Sequence, residues 1–129
     1  MRLALTFAAA LAMLAGCGGS GSDALVLTST QGPVTFALHI GSTIVGDPAT
    51  IRLLITQNGH PVVGDAWITW SMDNMPMTDS ATLMTPGAPG TYQQRAFVFS
   101  MSGRWRAHVL VRVKNRTIGT ATLSVVTRD

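Results

Sequence analysis

The residues of this chain best suited to chemistry are its methionines. Met72, Met75, Met77, Met84 and Met101 lie close together in sequence, and the thioether is a soft donor that favours Cu(I) over harder cations. Met75 and Met77 flank Pro76. Proline carries no N–H and restricts the residue before it, so Met75-Pro76-Met77 is expected to leave a sheet as a stiffened loop with its two thioethers splayed. Cu(I) needs several soft or imidazole donors to converge. Met75 and Met77 are the first candidates, Met72 the next, and His39, His60 or His108 could add a nitrogen ligand. The competing reading for Met72, Met84 and Met101 is core, since methionine fills irregular gaps and Met72 is in phase with Ile68 and Trp70. Each histidine reads more simply as a surface residue. Catalysis is not expected. All six acidic residues are Asp, mostly in turn-like stretches, Glu is absent, and no nucleophile or phosphate-loop pattern occurs.

The loop needs a scaffold, and the surrounding residues describe one made of strands. From Ala66 to Met72, Ile68, Trp70 and Met72 share one face while Thr69 and Ser71 point the other way, because side chains alternate along a strand. The same alternation recurs in Val34, Phe36, Leu38 and Ile40, with His39 outward, and again in Ile51, Leu53 and Ile55. Asn58-Gly59 supplies a hairpin turn. Ala81 to Met84 allows a short strand, and Pro86 to Gly90 is turn chemistry throughout. Tyr92 to Phe99 follows with Phe97 and Phe99 on one face. Trp105, Ala107, Val109, Val111 and Val113 then face inward, and Arg104, Arg106, His108 and Arg112 face out. Asn115-Arg116-Thr117 is expected to form the last hairpin, leading into the apolar row Ala121, Leu123 and Val125. The even spacing of Arg104, Arg106, Arg112, Lys114 and Arg116 predicts a solvated strand face that discourages edge pairing. Helical periodicity is missing and β-branched residues abound. The expected fold is all-β, an immunoglobulin-like antiparallel β-sandwich of about seven strands.

The first residues belong to a different register. Met1-Arg2 and the apolar run Leu3 to Leu14 read as a secretory leader, too short to span a bilayer. Leu14-Ala15-Gly16-Cys17 resembles the bacterial lipobox, in which the Cys becomes the mature N-terminus and carries lipid. The division expected is a cleaved lipoprotein signal peptide at 1–16, a lipidated Cys17 with a Gly/Ser tether at 17–24, and the β-sandwich at 25–129. Cys17 is the only cysteine, so no intramolecular disulfide can form. The protein is thus expected in the cell envelope, lipid-anchored to a membrane with its domain on the extracytoplasmic side. Formal charge is +3, and without Arg2 eight basic residues face six acidic ones. So mild an excess implies no nucleic-acid partner. Trp67 and the loop methionines offer a second use for the loop, as an apolar patch docking an envelope membrane-protein partner without metal.

Several short elements, taken in order, resemble the YtkA-like and FixH-like group of small exported immunoglobulin-type domains. They are Asn58-Gly59-His60-Pro61-Val62 with Gly64 and Ala66, the strand leading to Met75-Pro76-Met77, Gly90-Thr91-Tyr92, and Ser102-Gly103-Arg104-Trp105. The likeness spans 33–126. It implies a role near envelope copper handling, metal transport or cytochrome oxidase assembly. The chain departs from FixH-like members by carrying a lipobox where they have a membrane helix, and no His stands inside the Met-Pro-Met loop.

Overall fold

The computed structural model describes residues 23–73 and 81–129. Within them the chain forms ten strands: β1 (Leu25–Gln31), β2 (Val34–Ile40), β3 (Pro48–Gln57), β4 (His60–Pro61), β5 (Asp65–Met72), β6 (Thr82–Leu83), β7 (Thr85–Pro86), β8 (Thr91–Val98), β9 (Gly103–Val113) and β10 (Arg116–Thr127). β4, β6 and β7 are two-residue pieces, which leaves seven strands of full length. One sheet runs β1-β2-β3-β8-β7, with β4 paired to β3, and the other runs β10-β9-β5-β6. Every strand pairing within them is antiparallel. The two sheets face each other as an immunoglobulin-like sandwich. No helix among the described residues is long and apolar enough to cross a membrane.

The core is the sum of the inward rows that alternation dictates. Phe36, Leu38 and Ile40 of β2 and Ile51, Leu53 and Ile55 of β3 pack from one sheet against Ile68 and Trp70 of β5, Trp105, Val109 and Val111 of β9 and Leu123 and Val125 of β10. Burial of this kind contributes about 25 cal/mol for each Å² of apolar surface removed from water.

The structure differs from the sequence expectation in four places. β1 pairs with β2 through a turn at Gly32-Pro33, where the sequence reading placed no strand. It is an edge strand with only half-buried inward side chains, so its pattern is weak. The last hairpin turns at Lys114-Asn115, both with positive φ, and β10 already begins at Arg116. Lys114 and Arg116 therefore do not continue the arginine row of β9. Nor is that row an edge guard, because β9 lies between β10 and β5. Finally, Phe97 and Phe99 share the inward side as expected, yet Tyr92, which strict alternation would place on the opposite face, is buried too. A bulge resolves this: β3 steps from Ala49 to Ile51 while β8 steps from Phe97 to Gln94, with Ala96 in the left-handed region at φ 55°. One extra residue shifts the alternation from even to odd.

The ends of the sandwich are unlike. At one, the turn pole, lie the tight turns 32–33, 58–59 and 114–115, the 62–64 link and the 87–90 turn. At the other, the loop pole, lie the start of β1, the 41–47 loop, the end of β5, the 99–102 connection and the C-terminal end of β10.

Candidate functional site

β5 carries the chain to the loop pole, and the base of the candidate loop is firmly built. Met72, its last residue, is 9% exposed and packs in the core opposite Trp105. Its methyl approaches Gly103 so closely that a Cβ there would lie 3.0 Å from it. Gly103 itself has φ 141°, a conformation side chains rarely adopt. Asp73 follows, its N–H on the Arg104 carbonyl at 3.3 Å and its carboxylate 2.6 Å from Arg106 Nε. Below lies an aromatic floor. Trp70 stacks on Phe97 at 4.7 Å, Phe99 meets both edge-on, and Trp105 contacts Phe99 at 5.5 Å. Trp70 Nε1 donates to Gln94 Oε1, so its one polar atom is satisfied.

Met75 and Met77 lie outside the described residues, as does Cys17. Of the remaining methionines, Met84 is buried in the core as expected, whereas Met101 is 45% exposed on the 99–102 connection and fills no core space. That connection is held rigid. The Met101 carbonyl accepts Trp105 Nε1–H at 3.0 Å and the Thr127 hydroxyl at 2.8 Å.

The three histidines do not converge. His60 is at the turn pole, His39 lies on the outer face of β2, and His108 lies on the outer face of β9. His108 has partners on both ring nitrogens, Ser71 at 3.2 Å and Thr122 at 3.0 Å. Beside it a shallow groove of about 540 Å³ crosses the outer face of the sheet between Trp67, Leu110, Arg112 and Thr120. No three His, Cys, Asp or Glu among the described residues are grouped as metal ligands.

A cluster that sequence reasoning missed holds the start of the domain. Asp23 lies 2.8 Å from His39 Nδ1 and accepts Arg52 Nη2–H at 2.9 Å, and the Ala24 N–H bonds the Ile40 carbonyl. Burial pushes the Asp23 carboxyl up, but the His39 hydrogen bond and the Arg52 charge and hydrogen bond outweigh it, so its pKa is lowered. The partners come from β2 and β3, and nothing local to Asp23 announces them.

Comparison with known proteins settles the ancestry of this scaffold. A family model described as YtkA-like matches residues 28–110, more than half of the chain. The chain belongs to the YtkA-like family. No curated protein and no solved structure matches it. In this YtkA-like domain the motif residues brace both poles. At the turn pole, Tyr92 donates its hydroxyl to the Val62 carbonyl at 2.6 Å and accepts the Gly64 N–H at 3.0 Å. Gly90, at φ 78°, bonds the Ile55 N–H through its carbonyl and lies so near Pro61 that a Cβ would come within 2.8 Å of it. A Cβ on Gly64 would collide with the Arg112 carbonyl oxygen. At the loop pole, Gly103 and Trp105 hold the base from which the Met-Pro-Met segment departs.

Proposed function

We propose that this YtkA-like protein is a lipid-anchored cell-envelope β-sandwich that carries Cu(I) on the thioethers of Met75 and Met77, for copper handling or oxidase assembly. In this reading residues 1–16 are removed and Cys17 bears the lipid. The observation that carries it is the braced root of the loop. Asp73, the last described residue before the loop, is paired with Arg106 at 2.6 Å, and β5 behind it packs on the Trp70–Phe97 stack, so the strand that leads to the two soft donors is well held. Met72 fills core space at that root, and the minimal ligand set is accordingly the Met75–Met77 pair. Copper here is cargo, passed on by ligand exchange. A thioether has no proton to lose, so binding persists under mild acid that displaces metal from imidazole.

The test is a Cu(I) competition titration of the detergent-solubilised full chain and of Met75→Leu/Met77→Leu, a nearly volume-conserving change. One stoichiometric site lost in the double variant supports the proposal. Equal binding by both forms moves the site off the loop, and no binding by either removes copper altogether. The second reading is a docking module for an envelope membrane protein. Trp67 pairs with the exposed Leu83 on the outer edge of its sheet. Crosslinking from residue 75 without added copper tests it, since a docking module captures one reproducible neighbour and a copper carrier does not.

A further inference from the structure

The loop pole gathers the start of the described chain and several exposed apolar side chains. Asp23 opens the described chain at this pole, clamped to His39 and Arg52, so whatever precedes it departs from here. Exposed large apolar side chains concentrate here too. Ile44 lies on the 41–47 loop, Val98 ends β8, and Met101 lies on the 99–102 connection. Val26 and Val126 stand one register row back, on the outer faces of the two sheets. Among the described residues the exposed large apolar side chains away from this pole are Val63, at the turn pole, and Leu83, paired with Trp67 on the sheet edge.

These side chains sit on fixed backbone. Ile44 is bridged to Arg128, with the Val45 N–H on the Arg128 carbonyl at 2.9 Å and the Arg128 N–H on the Thr43 carbonyl at 3.1 Å. Met101 is held by Trp105 and Thr127. Among the described residues charge at the pole is balanced. Arg52, Arg104, Arg106 and Arg128 stand among Asp23, Asp47, Asp73 and Asp129, with Arg52 paired to Asp23 and Arg106 to Asp73. Attraction to anionic headgroups is therefore not the driving term, and apolar contact is.

We infer that the loop pole rests in the headgroup region of the membrane that holds Cys17, with Ile44 and Met101 inserted at its surface. The inference rests on the anchor reading above and names the orientation that anchor imposes. Tether length decides it. Six residue steps from Cys17 to Asp23 reach at most about 20 Å, whereas the eleven residues of β9 span about 35 Å. The tether is too short to let the sandwich invert, and the turn pole faces away. A copper-loaded Met-Pro-Met segment would then leave β5 at the membrane side, where a membrane-embedded acceptor could meet it.

The experiment uses the lipidated full chain in phosphatidylcholine vesicles, with an environment-sensitive label on Met101→Cys or, separately, on Val63→Cys. Brominated lipid is expected to quench the label at 101 at least about threefold more than the label at 63, with no change in about 0.5 M salt. Equal quenching at both positions overturns the orientation while leaving the anchor intact, because the protein still sediments with vesicles. Failure of the unsubstituted chain to sediment overturns the anchor, and the orientation falls with it. In Ile44→Ser/Met101→Ser, a label on Val126→Cys is expected to lose about half its quenching while sedimentation persists. Unchanged quenching overturns the apolar contact.

Discussion

The turn pole and the loop pole are built from the same seven full-length strands yet solve different problems. At the turn pole, backbone meets backbone: Gly64 lies against the Arg112 carbonyl, Gly90 lies against Pro61, and Tyr92 ties the 62–64 link with two hydrogen bonds. At the loop pole the 41–47 loop and the 99–102 connection each present one large exposed apolar side chain, Ile44 and Met101. Rigidity is present at both. The difference lies in what is offered to solvent, and it teaches that one end of the sandwich closes on itself through backbone contacts while the other presents apolar side chains outward.

The largest expected effect tests the turn pole. Gly90→Ala places a Cβ 2.8 Å from Pro61 and 2.9 Å from the Ile55 carbonyl, at φ 78°. Neither neighbour is a flexible side-chain end, so a loss of about 3 kcal/mol or more is expected in urea unfolding. A loss below about 1 kcal/mol would mean that this pole yields, and the contrast between the poles would fail.

Tyr92→Phe sharpens the same contrast with a smaller change. It leaves a buried Val62 carbonyl and the Gly64 N–H without their partner, at an expected cost of about 2 kcal/mol. A matched thermal scan reads it, and unaltered stability would show that water replaces the hydroxyl.

The smallest effect belongs to the loop pole and appears as pH dependence. Asp23 has a lowered folded-state pKa, so its contribution is full above the unfolded carboxylate value of about 3.9 and is lost as pH falls through the folded value. Asp23→Asn is expected to be less stable than the parent at neutral pH and to lose less stability on acidification. Unfolding midpoints measured from neutral pH down to about pH 3 check this. Parallel acid limbs would detach the clamp from stability.

Much of the frame was legible in advance because its causes are local. Ile68, Trp70 and Met72 alternate with Thr69 and Ser71, and all five lie on the faces that alternation assigns them. Asn58-Gly59 turns with both residues at positive φ, as that dipeptide requires. Where the reading slipped, a nonlocal partner decided the matter. β1 exists because β2 offers it an edge, and the phase of β8 reverses because a bulge against β3 inserts Ala96. Its residue type groups Met101 with the core methionines, yet hydrogen bonds from Trp105 and Thr127 fix its backbone where the side chain faces solvent. Of the candidate site, the types and spacing of Met75 and Met77 came from sequence, and both lie outside the described residues.

By itself the sequence determined the all-β class, the inward rows and the turns, since alternation and turn chemistry act over a few residues. Only tertiary structure decided that Asp23 would meet His39 and Arg52, sixteen and twenty-nine residues away. It alone placed the start of the described chain, the end of β5 and the exposed Ile44, Val98 and Met101 at one pole. Strand order sets that arrangement, and strand order is fixed by pairings between residues far apart in the chain.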